Sequence, residues 1–126
     1  MKTAHALILS ACLAGCATTQ TSKDVSPPLD FTDSAGKHHF ITGEIIKNIT
    51  QGSFETTWSY RLAVAIDGEK FIDGGLDPHT FSGTVPGKYG DKSAIASCIG
   101  TRRSVEWTDV RCEIAIDGNR AGALTF

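Results

Sequence analysis

The fold class of this chain is decided by residues 58–68, WSYRLAVAIDG. Large apolar residues recur there at every second position, and the residues between them are polar or small. This period of two is typical of a β-strand that buries one face. The pair Asp67-Gly68 then predicts a two-residue hairpin turn, because a type I′ turn needs positive φ at both central residues. Residues 69–72 are expected to return as the partner strand.

A second hairpin of the same kind is predicted near residue 126. Residues 110–116, VRCEIAI, alternate in the same way, Asp117-Gly118 supplies the turn, and residues 120–126 return. The matching segments Val64–Gly68 and Ile114–Gly118 fit either an internal repeat or two independent uses of a favourable turn.

The rest of the chain also favours short strands. Weaker alternating segments cover residues 39–47, 79–85 and 92–98, and 13 glycines fit frequent tight turns. After the first 16 residues, no stretch of ten has helical apolar spacing. We therefore expect an all-β fold, a small antiparallel sandwich or barrel of about seven strands. Hydrophobic residues at 40% and charged residues at 21% are ordinary for a globular domain.

The first sixteen residues have the features of an export signal. Lys2 is followed by an apolar run over residues 6–13, which is too short to span a bilayer, and then by Ala14-Gly15-Cys16. This order resembles the signal peptide and lipobox of bacterial lipoproteins. The resemblance implies that Cys16 is lipidated on sulfur, becomes the first residue after cleavage, and is then acylated on its amine.

The predicted organisation has three parts. Residues 1–15 are a signal peptide, residues 16–36 are the lipidated Cys16 with a flexible tether, and residues 37–126 are a β-sandwich domain. Thr, Ser and Pro27-Pro28 suggest the tether, which would hold the domain off the membrane. By the lipoprotein resemblance, Ala17 implies sorting to the outer membrane, facing the periplasm. The sequence of residues 115–126 also resembles small uncharacterised bacterial lipoprotein domains, which implies no activity.

Two cysteines remain for the folded domain. An even pair in an exported chain predicts a disulfide between Cys98 and Cys112, with two buried free thiols as the alternative. No CxxC motif or nearby histidine completes a metal site, so none is predicted. The pair His38-His39 is expected to be solvated.

The sequence contains no motif that predicts catalysis or a cofactor. It has no nucleophile elbow, phosphate loop, HExxH or dinucleotide fingerprint, so we expect no enzyme and no cofactor. The net charge of −2 gives no support to nucleic-acid binding. Arg102, Arg103 and Trp107 form a possible contact patch, since Arg and Trp are enriched at binding hot spots. The alternative places Trp107 in the core.

These observations predict a membrane-anchored, non-enzymatic lipoprotein of the bacterial envelope that acts by protein–protein contact. Its role would be that of an envelope assembly subunit or an inhibitor of a wall hydrolase. The alternative is binding of a glycan or small ligand, in which aromatic rings stack on sugars. Tyr60, Phe81, Tyr89 and Trp107 are the aromatic residues considered for that role.

Overall fold

The computed structural model describes residues 17–105 and 108–126, and within them the chain forms one antiparallel sheet of nine strands. The strands are β1 (Thr18–Val25), β2 (Leu29–Thr32), β3 (His38–Gln51), β4 (Thr56–Ile66), β5 (Glu69–Leu76), β6 (Gly83–Tyr89), β7 (Lys92–Arg102), β8 (Thr108–Ile116) and β9 (Asn119–Thr125). The expected all-β antiparallel class is confirmed. In this part of the chain, no helix is long and apolar enough to cross a bilayer.

The strands from β3 to β9 follow one another as an up-and-down meander, and the sheet curls around its core. Gly122 on β9 packs against Leu29 on β2, and a Cβ atom at Gly43 would lie 2.7 Å from Leu124 Cδ1. The last strand therefore returns to the first ones. Of the two architectures expected, the single curled sheet corresponds to the barrel.

The alternating pattern of β4 identifies the interior correctly. Leu62, Val64 and Ile66 are buried, and they pack with the inward residues of β3, β7 and β8. Tyr60 is half-buried and Trp58 is 49% exposed, because β4 extends beyond the layer of side chains that fills the barrel. The predicted turn is also confirmed, since Asp67 and Gly68 have φ of 49° and 84°.

The predicted tether is wrong over most of its length. Residues 18–25 form β1, which pairs without interruption to residues 44–51 of β3, and residues 29–32 form β2, which pairs to residues 38–41. Only Ser26, Pro27 and Pro28 separate the two strands, and the two prolines lack backbone N–H groups. Ser26 anchors this break, because its N–H donates to Gly43 O at 2.9 Å and its hydroxyl accepts from Gly43 N at 3.1 Å. With β1 and β2, the sheet has nine strands instead of the expected seven.

The meander gives the barrel two ends with different loops. At the upper end lie residues 52–55, 77–82 and 103–105, together with Thr18, which pairs with Gln51. At the lower end lie the turns 33–37, 67–68, 90–91 and 117–118. Because an 11-residue strand such as β7 is about 35 Å long, the two ends are well separated.

Candidate functional site

The upper end of the barrel opens into a cleft of about 270 Å³, which we call the upper cleft. It lies between the projecting part of β4 and the two loops that follow β5 and β7. Its lining combines aromatic, basic and aliphatic side chains: Trp58, Tyr60, Pro78, His79, Phe81, Arg102, Val105 and Thr108. Mouths of β-barrels are common binding places, so this cleft is the candidate site.

The loop between β5 and β6 forms one wall of the upper cleft because it lies directly on Gly100. A Cβ atom at Gly100 would be 2.0 Å from Thr80 O, so only glycine allows this approach. The Gly100 N–H also donates to Ser82 Oγ at 3.0 Å. Asp77 Oδ1 accepts from His79 N and Thr80 N, and these backbone bonds lower the pKa of the Asp77 carboxyl.

Two of the three described aromatic rings that line the upper cleft stack on each other. Phe81 has φ of 58°, an unusual value for a non-glycine residue, and its ring stacks on Tyr60 with centroids 4.0 Å apart. Lys47 Nζ lies 5.4 Å from the Phe81 centroid. The stacking on Tyr60 and the nearby ammonium restrict the Phe81 ring, and the half-exposed Trp58 is the most open of the three rings.

The structure brings together only part of each residue group predicted from the sequence. Tyr60 and Phe81 meet in the upper cleft, whereas Tyr89 lies near the lower end, with its ring centroid 6.3 Å from that of His39. Trp107 lies outside the described residues, so its two proposed roles stay predictions.

The predicted contact patch is divided between two sides of the β7–β8 hairpin. Arg102 lines the upper cleft, and its Nε donates to Ser104 O at 3.3 Å. Arg103 lines a different surface pocket, between β7, β8 and β9, and its Nε donates to Asp109 Oδ2 at 2.7 Å. Of this patch, Arg102 is therefore the described residue that belongs to the upper cleft.

The predicted disulfide is confirmed. Cys98 on β7 and Cys112 on β8 are directly opposite in the register, and their sulfur atoms are 2.08 Å apart. Both residues are buried, and the bond joins the two strands that carry the loop with Arg102 and Val105. Cys16 lies outside the described residues, and its lipidation stays a prediction.

The lower end contains a buried histidine that the sequence analysis assigned to solvent. His39 is only 5% exposed, with Nδ1 2.6 Å from Asp67 Oδ2 and Nε2 2.8 Å from Asp33 Oδ2. Ionised carboxylates only accept hydrogen bonds, so this geometry favours the imidazolium form, in which both ring nitrogens donate. The hydrogen bond to Asp33, followed by that to Asp67, raises the pKa of His39.

The same contacts lower the pKa values of the two carboxyl groups, Asp33 and Asp67. The hydrogen bond from His39 lowers the pKa of Asp33, while a backbone bond from Phe40 and then the bond from His39 lower that of Asp67. The cluster links the β2–β3 turn to the β4–β5 turn. The sequence did contain a sign that His39 is buried, because His39 is in phase with the core residues Ile41 and Ile45 along β3. His38 is exposed, as expected.

This cluster is better suited to structure than to proton transfer, because neither ring nitrogen of His39 is left for a substrate. In the described ranges, no group of three or more His, Cys, Asp or Glu side chains is arranged to hold a metal ion. No protein-family model, no curated protein and no solved structure matches the chain.

Proposed function

We propose that this chain is a lipid-anchored, non-enzymatic protein of the bacterial cell envelope that works by contact with another envelope protein. The lipid anchor is supported by the resemblance of the first residues to a lipoprotein leader: Lys2, the apolar run at 6–13 and Ala14-Gly15-Cys16. By the same resemblance, Ala17 favours the outer membrane, with the domain in the periplasm. The disulfide supports export, because such bonds persist in oxidising compartments.

The observation that carries the contact half is the free edge of β1. All eight residues of β1 are exposed, and among the described residues the strand is hydrogen-bonded on one side only, to β3. Native proteins usually protect such an edge with a bulge, a proline or charges. β1 has a regular register and charged side chains only at Lys23 and Asp24. A partner can therefore add an extended strand to it through backbone hydrogen bonds.

Two features make the competing functions less suitable. The His39 cluster uses both ring nitrogens internally, which supports a non-enzymatic role. Binding of a glycan in the upper cleft would depend mainly on Trp58, because Tyr60 and Phe81 stack on each other. We keep glycan binding as the second candidate for the half-exposed Trp58 alone.

Metabolic labelling with an alkyne fatty acid tests the anchor. The wild-type protein should carry the label, and Cys16→Ala should abolish it because the acceptor sulfur is lost. Cys12→Ala is the matched control, since that cysteine lies within the predicted leader, and it should leave the label unchanged. An unlabelled wild-type protein, or a label that survives in Cys16→Ala, would overturn the anchoring proposal.

Photo-crosslinking in intact cells tests the partner contact. A benzoylphenylalanine at Lys23 would sit on the free edge strand, and the same group at Ser97 would sit on an exposed position of β7, which is paired on both sides. We expect a discrete adduct with one exported protein from position 23 and none from position 97. Equal adducts from both positions, or no adduct from position 23, would contradict the contact through β1.

A further inference from the structure

We propose that the upper end of the barrel lies against the lipid bilayer, with Phe54, Trp58 and Val105 in the headgroup region. We call these three residues the apolar rim. The inference rests on the proposed lipidation of Cys16, and it adds the orientation of the domain and a second function for its upper end: contact with lipid.

The position of β1 relative to the anchor supports this orientation. Ala17 alone separates Cys16 from Thr18, the first residue of β1, so the Cα atoms of Cys16 and Thr18 can be at most roughly 7 Å apart. Thr18 pairs with Gln51 at the upper end, next to the loop of residues 52–55. A lipid chain on Cys16 therefore brings this end of the barrel to the membrane surface, and no long tether holds the domain away.

Exposed apolar side chains at the upper end also support this orientation. Phe54 is fully exposed at 102%, Val105 is 87% exposed and Trp58 is 49% exposed. Trp58 and Val105 line the same cleft, although they come from different parts of the sheet. Large apolar side chains on loop tips are unfavourable in water, and aromatic residues are enriched at membrane–water interfaces.

A basic group accompanies the apolar rim. Arg102 is exposed beside Val105, and among the described residues its guanidinium donates long hydrogen bonds to two backbone oxygens, at 3.3 Å to Ser104 and 3.5 Å to Val105. An arginine with this freedom can bind a lipid phosphate while the neighbouring apolar side chain enters the interface.

The turns of the lower end carry no apolar rim. Its turns carry the sequences DSAGK, DG, GD and DG, which contain no large apolar side chain. Phe40, which is 58% exposed, lies near that end on the outer face of β3 rather than on a turn. It therefore offers a control residue of the same type as Phe54.

Photo-crosslinking to lipid tests the orientation with the full-length, processed protein. The protein is purified from membranes and reconstituted in vesicles of phosphatidylethanolamine and phosphatidylglycerol, with benzoylphenylalanine in place of Phe54 or, as the control, Phe40. We expect irradiation to add the mass of one phospholipid to the Phe54 variant and to leave the Phe40 variant unchanged.

The outcomes separate this inference from the proposed function. Acylated protein that gives no lipid adduct at position 54, or equal adducts at both positions, would overturn the orientation and leave the anchor in place. Adducts at position 54 with a second copy or with another protein, in place of lipid, would assign the rim to a protein partner and also overturn it. An unacylated chain would remove the premise and overturn both proposals.

Discussion

The two ends of this barrel are closed in different ways. The lower end has short polar turns, and His39 holds two of them together through Asp33 and Asp67. The upper end has longer loops that leave Phe54 and Val105 in water, although one of them is supported by a disulfide-linked strand pair. The turns of the lower end thus expose no large apolar side chain, whereas the loops of the upper end expose Phe54 and Val105.

The largest expected effect is a difference in stability between alanine substitutions of two phenylalanines, one buried and one exposed. Phe71 is 8% exposed near the lower end and contacts Tyr89, so Phe71→Ala should lower the free energy of unfolding by about 3–5 kcal/mol. Phe54→Ala should change it by less than about 0.5 kcal/mol, because that ring contributes no burial. Urea denaturation measures both. A similar loss in the two variants would show that Phe54 has a structural role and would end the contrast between the ends.

The disulfide should give the next largest effect. The Cys98→Ala/Cys112→Ala variant lacks a link that closes a loop of about 15 residues, which is worth about 3 kcal/mol in the chain-entropy account. The loss should appear as a lower urea midpoint, and chemical reduction of the wild-type protein should reproduce it. Hydrogen exchange should rise more at residues 101–105 than at the turn 117–118. An unchanged midpoint in the double variant would contradict the support that we assign to this link.

The close approach of the β5–β6 loop to Gly100 predicts a smaller loss of stability. A methyl group at this position meets Thr80 O, so Gly100→Ala should cost about 1–3 kcal/mol and separate the stacked rings of Tyr60 and Phe81. Gly75→Ala is the matched control, because its Cβ atom would lie 3.9 Å from the nearest atom. If both variants were equally stable, the loop would not depend on this close approach.

The histidine cluster predicts the smallest and most specific effect, a pH dependence whose alkaline side comes from the lower end. The raised pKa of His39 stabilises the fold fully below the usual value of 6.5, and this contribution is lost as pH rises through the folded-state pKa. The lowered pKa values of Asp33 and Asp67 stabilise the fold above the usual 3.8, and their contribution is lost as pH falls through the folded-state values.

Urea midpoints across the pH range from 3 to 9 would therefore be highest between about 4 and 6.5. Asp33→Asn should flatten the decrease on the alkaline side, since one acceptor loses its charge. Asp91→Asn, in the turn between β6 and β7, should keep the wild-type profile. A midpoint that rises from pH 6 to pH 8 in the wild-type protein would contradict the imidazolium assignment.

The features that were predictable from the sequence are those with local causes. Asp67-Gly68 and Asp117-Gly118 specify their own turns, and alternation along residues 58–66 identifies the inner face. β1 and β2 were missed because a segment rich in Thr, Ser and Pro forms strands here only by pairing with the edge of β3. His39 was assigned to solvent because its partner Asp67 is distant in the sequence.

The upper cleft was only partly predictable for the same reason. Its lining comes from β4, the β5–β6 loop and the β7–β8 hairpin, and no local pattern connects Trp58 with Val105. The sequence singled out Arg102 by residue type, and it grouped Arg103 with it although these successive residues at the end of β7 line different pockets. Residue type therefore indicated where contact chemistry is available, and topology decided which residues meet.

The most direct test of the account is the mass of the N-terminal peptide of the protein extracted from its native membranes. The account predicts a peptide that begins at Cys16 and carries a diacylglyceryl group on sulfur and a fatty acyl group on the amine. A peptide that begins at Met1, or an unmodified Cys16, would contradict the anchor and with it the orientation of the upper end.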